Sequence, residues 1–211
     1  MQTDTDLARG VFRDFYLENR WGGAESRSGK GSSLDRGAFL EQRLPLLLDG
    51  LGVRSMLDVP CGDVHWMSRF PLQGIQYLGV DIVPEIIAAN RRNHGAMGEF
   101  FCLDACRDPL PEADLILCRD LLSHLPNASI RSFLRNICSV HARWLLCGRF
   151  LGPLGPQDVN RDISFGKFRA VDLCEPPFDL PAPIVMVPEF IHKWKTLALW
   201  PIDTVRRALN Q

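Results

Sequence analysis

The chain has 211 residues, of which 46% are hydrophobic and 23% charged. That suffices for one globular domain, which at this length buries about 70% of its unfolded surface. With 24 basic against 25 acidic residues the net charge is −1, which argues against a protein built to coat nucleic acid.

The first residues, MQTDTDLARG, show no basic segment leading into an apolar run, so no secretory signal is expected there. Leu7, Val11 and Phe15 lie four apart and predict an amphipathic helix over 4–20. WGGAESRSGKGSS (21–33) then reads as a glycine- and serine-rich loop. A helix is expected from Asp35, an N-cap candidate, to Leu48, with a kink at Pro45. From residue 55 short apolar runs alternate with helical patterns. Strands are predicted near 55–59, 76–81, 99–104, 113–118 and 143–149, and helices near 63–70, 84–94 and 127–141. Pro84 suits a first helical turn, and Asn127 or Ser129 suits the next cap. This alternation implies a parallel sheet covered by helices on both faces. Residues 151–183 are proline-rich with no helical pattern, as in a lid or binding loop. Two late strands, 184–188 and 195–202, are expected to close the sheet as an antiparallel pair.

No run approaches the roughly 18 apolar residues of a membrane span. Seven cysteines, an odd number without a C-x-x-C pair, read as buried reduced thiols and point to the cytoplasm. The five histidines form no close ligand pair, so no metal site is expected. SGKGSS resembles a phosphate loop only in composition. Five residues separate Gly23 from Gly29, and Gly31 follows Lys30 where the phosphate loop needs Ser or Thr.

Four aspartates, Asp58, Asp81, Asp104 and Asp120, fall at or just past the ends of four successive predicted strands. In an open parallel sheet that edge is the ligand crevice. Clustered carboxylates repel one another, so a ligand with hydroxyls, an amine and a cationic centre would reward them. A nicotinamide dinucleotide wants G-x-G-x-x-G for its pyrophosphate. Here the turn is DVPCGDV, with one glycine and Asp63 where phosphate would rest. S-adenosylmethionine has no phosphate but carries a sulfonium, an ammonium and a ribose diol.

On these motifs the chain resembles the class I S-adenosylmethionine-dependent methyltransferases. LDVPCGD stands at the first-strand glycine motif, YLGVDIVPEII at the second-strand acidic motif, FFCLDA at the third and ADLILCRDLLSHLP at the fourth. WGGAESRSGKGS upstream resembles a bacterial subgroup with such a segment before DVPCGD. The resemblance implies an α/β fold: a Rossmann-like, doubly wound, mostly parallel seven-stranded sheet with an antiparallel last strand and an N-terminal helical cap. It implies one methyltransferase domain over 1–211, with helices and cap in 1–52, a cofactor-binding core in 53–150, and a substrate loop with final strands in 151–211.

By position, the resemblance makes Asp81 the ligand of the ribose hydroxyls and Ile82 a cover for adenine. Asp104 and Ala105 would meet the adenine edge, and Asp58, Cys61 and Gly62 would lie under the methionine part. Arg119 would supply backbone near the sulfonium. Apart from the resemblance, the glycines of the 21–33 segment permit it to fold over the cofactor, where Ser26, Ser28 and Arg27 are in reach of the methionine carboxylate. Pro60 and Val64 depart from the glycines of the commonest pattern.

Asp120 and His124, past the fourth strand, are the candidate bases for a hydroxyl acceptor. Asn160 and Arg169, among aromatic residues of the 151–183 loop, are the candidate substrate contacts. The expected substrate is a small molecule, with a sugar hydroxyl favoured. Two other readings stay open here: a non-catalytic adenosyl-binding module acting through a partner, and a nucleic-acid methyltransferase, against which neutral charge counts.

Overall fold

The computed structural model describes residues 3–152, 158–189 and 194–210. Residues 153–157 of the proline-rich loop, and His192, lie outside them.

Helix α1 (Asp4–Leu17) starts at a capping box in which the Thr3 hydroxyl and the Asp6 carboxylate exchange backbone hydrogen bonds. It buries Ala8 and Phe12 against the sheet. The single kinked helix expected next is two helices, α2 (Leu34–Glu41) and α3 (Leu44–Gly50). Proline is tolerated in a first turn but not in an interior, and Pro45 sits in the first turn of α3. Asp35 accordingly lies inside α2, and Ser33 takes the cap position.

Strands β1 (Ser55–Asp58), β2 (Gln76–Asp81), β3 (Glu99–Cys102), β4 (Leu115–Cys118) and β5 (Trp144–Phe150) are parallel. β7 (Lys195–Pro201) runs antiparallel to both its neighbours, β5 and β6 (Val185–Pro188). The spatial order is β3-β2-β1-β4-β5-β7-β6. The order reverses between β1 and β4, the switch point at which such sheets open a crevice. α4 (Pro84–His94) and α5 (Asn127–Ser139) form as expected.

The helix expected at 63–70 is only a 3-10 turn, Met67–Arg69. Gly62 and Val64 both have positive φ, which a right-handed helix cannot include. Trp66, Met67 and Phe70 are buried beneath the sheet, so packing sets this segment rather than helical periodicity. The final strand ends at Pro201, and a helix absent from the sequence reading, α6 (Ile202–Leu209), packs on α5. Among the described residues, no helix is long and apolar enough to cross a membrane.

The sheet separates two apolar layers. Leu57, Val80, Ile116, Phe133 and Trp200 lie in one, and Leu48, Met56, Tyr77, Leu115 and Leu199 in the other. Each such side chain, fully buried, contributes about 1.5–3 kcal/mol. This rigid slab holds the strand ends, and the groups on them, in place.

Candidate functional site

The four aspartates do meet at one rim. Asp58 and Asp81 end β1 and β2, while Asp104 and Asp120 stand two residues past β3 and β4. Two clefts open there, and Pro60, Asp81 and Ile82 line both. The first, about 670 Å³, is walled by Leu103, Asp104, Ala105 and Leu125, with Phe12 of α1 overhead. The second, about 750 Å³, is walled by Ser28, Asp58, Cys61, Gly62, Arg119, Asp120 and His124, with Trp21 and Trp66. Every expected cofactor contact therefore lines one cleft or the other.

Asp81 is buried, and its carboxylate accepts the N–H groups of Gly62 (3.2 Å) and Val83 (2.9 Å). Burial pushes its pKa up to about 6 despite those bonds. A carboxylate has about four acceptor sites, so acceptor capacity remains for a ligand. Burial likewise pushes Asp58 up to about 7, against the Tyr77 hydroxyl that donates to it at 2.7 Å. A cation or hydroxyl donor in the clefts would relieve both groups. The Asp104 carboxylate accepts from the Thr5 hydroxyl (2.6 Å) and the Cys106 N–H (2.9 Å), which ties α1 to the rim.

The 21–33 segment folds onto the first-strand turn. The Ser26 hydroxyl donates to Asp63 at 2.8 Å, and the Arg27 N–H donates to the same carboxylate at 3.0 Å. The Ser28 hydroxyl accepts from the Asp63 N–H at 2.9 Å. A Cβ at Gly62 would come within 2.5 Å of the Ser28 Oγ, at a φ of +54° that already disfavours side chains. The motif glycine is needed for close approach of the cap. Asp63, bonded in this way, leaves no room for a phosphate.

A buried charge cluster that the sequence reading missed lies beyond Arg119. The Arg119 guanidinium donates to Glu189 at 2.7 Å and to the Gly31 carbonyl at 2.8 Å, 5.0 Å from the Trp66 ring centroid. Lys195 pairs with Asp120 and lies 3.2 Å from Glu189. Glu189 and Lys195 sit 69 and 75 residues beyond Asp120 and come beside it only when β7 inserts antiparallel next to β5. Burial alone would raise the Asp120 pKa, but the Lys195 ammonium and then Arg119 hold it well below the usual carboxylate range. Such a carboxylate is a weak proton acceptor.

His124 differs. Burial lowers its pKa below the ordinary imidazole value, so the neutral ring prevails at pH 7. Its Nδ1 lies 3.0 Å from the Lys167 carbonyl. A carbonyl only accepts, so Nδ1 carries the proton and Nε2 keeps the lone pair. The ring is framed by Trp21 (5.9 Å between centroids) and Phe168 (5.8 Å).

Asn160 and Arg169, expected to contact substrate, are occupied internally. The buried Asn160 amide donates to the carbonyls of Asp172, Glu175 and Pro176 and accepts from the Asp172 N–H. The Arg169 guanidinium donates to the Leu122 and Leu125 carbonyls and to the Asn127 side chain. Burial lowers its pKa to about 10. Arg169 braces the turn that carries His124, and Asn160 braces residues 172–176.

Residues 56–143 match the family described as the methyltransferase domain. That match, over 88 of the 211 residues, supports a class I S-adenosylmethionine-dependent methyltransferase. Three solved structures share the fold of this methyltransferase. Magnesium protoporphyrin IX methyltransferase from Synechocystis, with bound S-adenosylhomocysteine, is 15% identical at a TM-score of 0.59, over 93% of this chain and 98% of that one. A protein from Pyrococcus horikoshii is 14% identical at 0.58, over 80% and 92%. Human N-acetylserotonin methyltransferase, in complex with S-adenosylmethionine, is 17% identical at 0.54, over 92% of this chain and 65% of that one. No curated protein matches the sequence significantly.

The residues present fit the cofactor. Asp81 stands between an apolar slot and a polar cleft, as a ribose ligand between adenine and methionine must. The carboxylates Asp58 and Asp81 suit a ligand bearing an ammonium and a sulfonium, and the guanidinium lining the second cleft, Arg119, is neutralised by Glu189.

Proposed function

We propose that this methyltransferase acts on a hydroxyl of a small polar acceptor, a sugar or a similar metabolite, with His124 as the general base. The observation that carries this reading is that His124 lines the same cleft as Asp58 and Gly62, with its Nδ1 held by the Lys167 carbonyl and its pKa lowered by burial. Bound S-adenosylmethionine supplies an electrophilic methyl group on a cationic sulfur.

The chain's own residues do the rest. Asp81 would take the ribose diol, with Ile82 and Ala105 against adenine and Asp104 at its edge. Asp58, Cys61 and Gly62 would lie under the methionine portion, Ser28 near its carboxylate and Arg119 beside the sulfur. The cap joins at Asp63 and at Arg119, so that segment limits water entry to the second cleft. His124 takes the hydroxyl proton at Nε2, while the Lys167 carbonyl holds the tautomer and stabilises the imidazolium. Asp120 acts at a distance, since its negative charge favours the protonated ring.

The test uses His124→Ala and Asp120→Asn, each assayed for S-adenosylhomocysteine binding by calorimetry. Turnover is followed as radiolabelled methyl transfer from S-adenosylmethionine into a polar-metabolite extract. Parental affinity in both variants, with transfer lowered about a hundredfold or more in His124→Ala, is expected. Parental transfer in His124→Ala would remove the base assignment.

A further inference from the structure

A third cleft of about 960 Å³ is bordered by Phe168, the ring neighbour of His124. Phe150, Phe168 and Trp194 wall it, with Asp158 and Arg161 at its edge. Phe168 and Trp194 are 56% and 50% exposed, whereas the Trp200 side chain of the core is fully buried. Large aromatic rings left half in water and gathered round one concavity mark a binding surface. The Phe168 ring lies 5.8 Å from both the His124 and the Phe150 ring centroids, so this wall continues the proposed base.

The polar groups narrow the ligand. Among the described residues, Asp158 and Arg161 have neither a hydrogen-bond nor an ion-pair partner. One offers acceptors only and the other donors only. Their charges offset each other, and the third charged lining residue, Arg169, has its guanidinium turned to the Leu122 and Leu125 carbonyls and the Asn127 side chain. A ring with an apolar face and a belt of hydroxyls, each both donor and acceptor, satisfies all of these groups together.

We infer that this cleft is a carbohydrate subsite: Phe168 and Trp194 pack on the C–H face of a sugar ring while Asp158 and Arg161 hydrogen-bond its hydroxyls. The inference rests on the small-acceptor reading above and adds to it a place and a class of ligand. Contacts here, remote from the reacting oxygen, orient the acceptor hydroxyl towards His124.

Saturation-transfer NMR on the protein loaded with S-adenosylhomocysteine tests it. The probes are the methyl glycosides of glucose, galactose, mannose, fucose and rhamnose, with 4-nitrophenol as a flat ring lacking a hydroxyl belt. At least one glycoside should receive saturation at its ring C–H protons. Its affinity should fall about tenfold or more in Phe168→Ala and in Trp194→Ala, as expected for contact rings at a binding centre, and should fall in Asp158→Ala. Thermal unfolding and S-adenosylhomocysteine affinity, read on the same samples, should stay parental. Signal from 4-nitrophenol alone, from no probe, or from glycosides bound equally by the variants overturns the subsite. Failure of S-adenosylhomocysteine to bind the parent strikes instead at the cofactor assignment.

Discussion

Replacing Asp81 with alanine removes the one carboxylate that faces both clefts. The Gly62 and Val83 N–H groups take part of its acceptor capacity, and the remainder is proposed to serve the ribose diol. Hydrogen bonds to a charged group contribute about 1.5–3 kcal/mol, so Kd for S-adenosylhomocysteine should rise roughly 10- to 150-fold. Calorimetry at pH 7.5 measures this, and a thermal melt checks that the variant is folded. A pH series supplies a second arm. The raised pKa of about 6 means that protonated Asp81 competes with binding below that pH. Ribose hydroxyls favour the carboxylate, so affinity should weaken as pH falls, towards about tenfold per unit from this group alone. Asp58, at about 7, steepens the fall in the same direction. Asp81→Asn, which cannot titrate, should show a shallower profile. A folded Asp81→Ala protein with parental affinity would refute the placement of the ribose.

Four other outcomes follow from the same structure. Methyl transfer at saturating S-adenosylmethionine should fall on the acid side of a pH profile as His124 protonates, at a pKa below its ordinary 6.5; the same acid limb with parental transfer in His124→Ala would contradict a histidine base. Amide hydrogen exchange in 21–33 should slow when S-adenosylhomocysteine binds, because the cap bonds the turn beneath the ligand through Asp63; equal exchange would reduce the segment to a linker. Gly62→Ala should weaken S-adenosylhomocysteine binding and loosen the cap, since its Cβ would overlap Ser28, as read by calorimetry and exchange together. Trp200→Ala should cost about 3–5 kcal/mol in urea unfolding, because the side chain is fully buried and its Nε1 donates to the Pro181 carbonyl at 2.8 Å.

The core was legible because its signals are local. Each of β1, β2 and β4 is an apolar run ending at or just before an aspartate, and parallel order then gathers those aspartates at one rim without further information. The glycine of DVPCGDV and the serines of the cap could be named, although their contact spans 35 residues between Ser28 and Asp63. What stayed hidden depends on tertiary context. The 63–70 segment stands where the β-α alternation calls for a helix, but positive φ at Gly62 and Val64 and the burial of Trp66 and Phe70 prevent one. Asn160 and Arg169 looked free in a polar loop, and only the fold reveals their bonds to backbone carbonyls. Asp120 and His124 looked equivalent as bases until Lys195 and Glu189 arrived from the far end of the chain. The pairing of Asp120 with Lys195 separates the two roles.

The most direct test of the central claim is a crystal structure of the protein with S-adenosylhomocysteine. Adenine should lie in the slot between Ile82 and Ala105, with the ribose hydroxyls within hydrogen-bond reach of the Asp81 carboxylate. The sulfur should lie in the cleft shared by Asp58, Gly62, Arg119 and His124. A ligand bound away from these strand ends, or one whose ribose turns from Asp81, would contradict it.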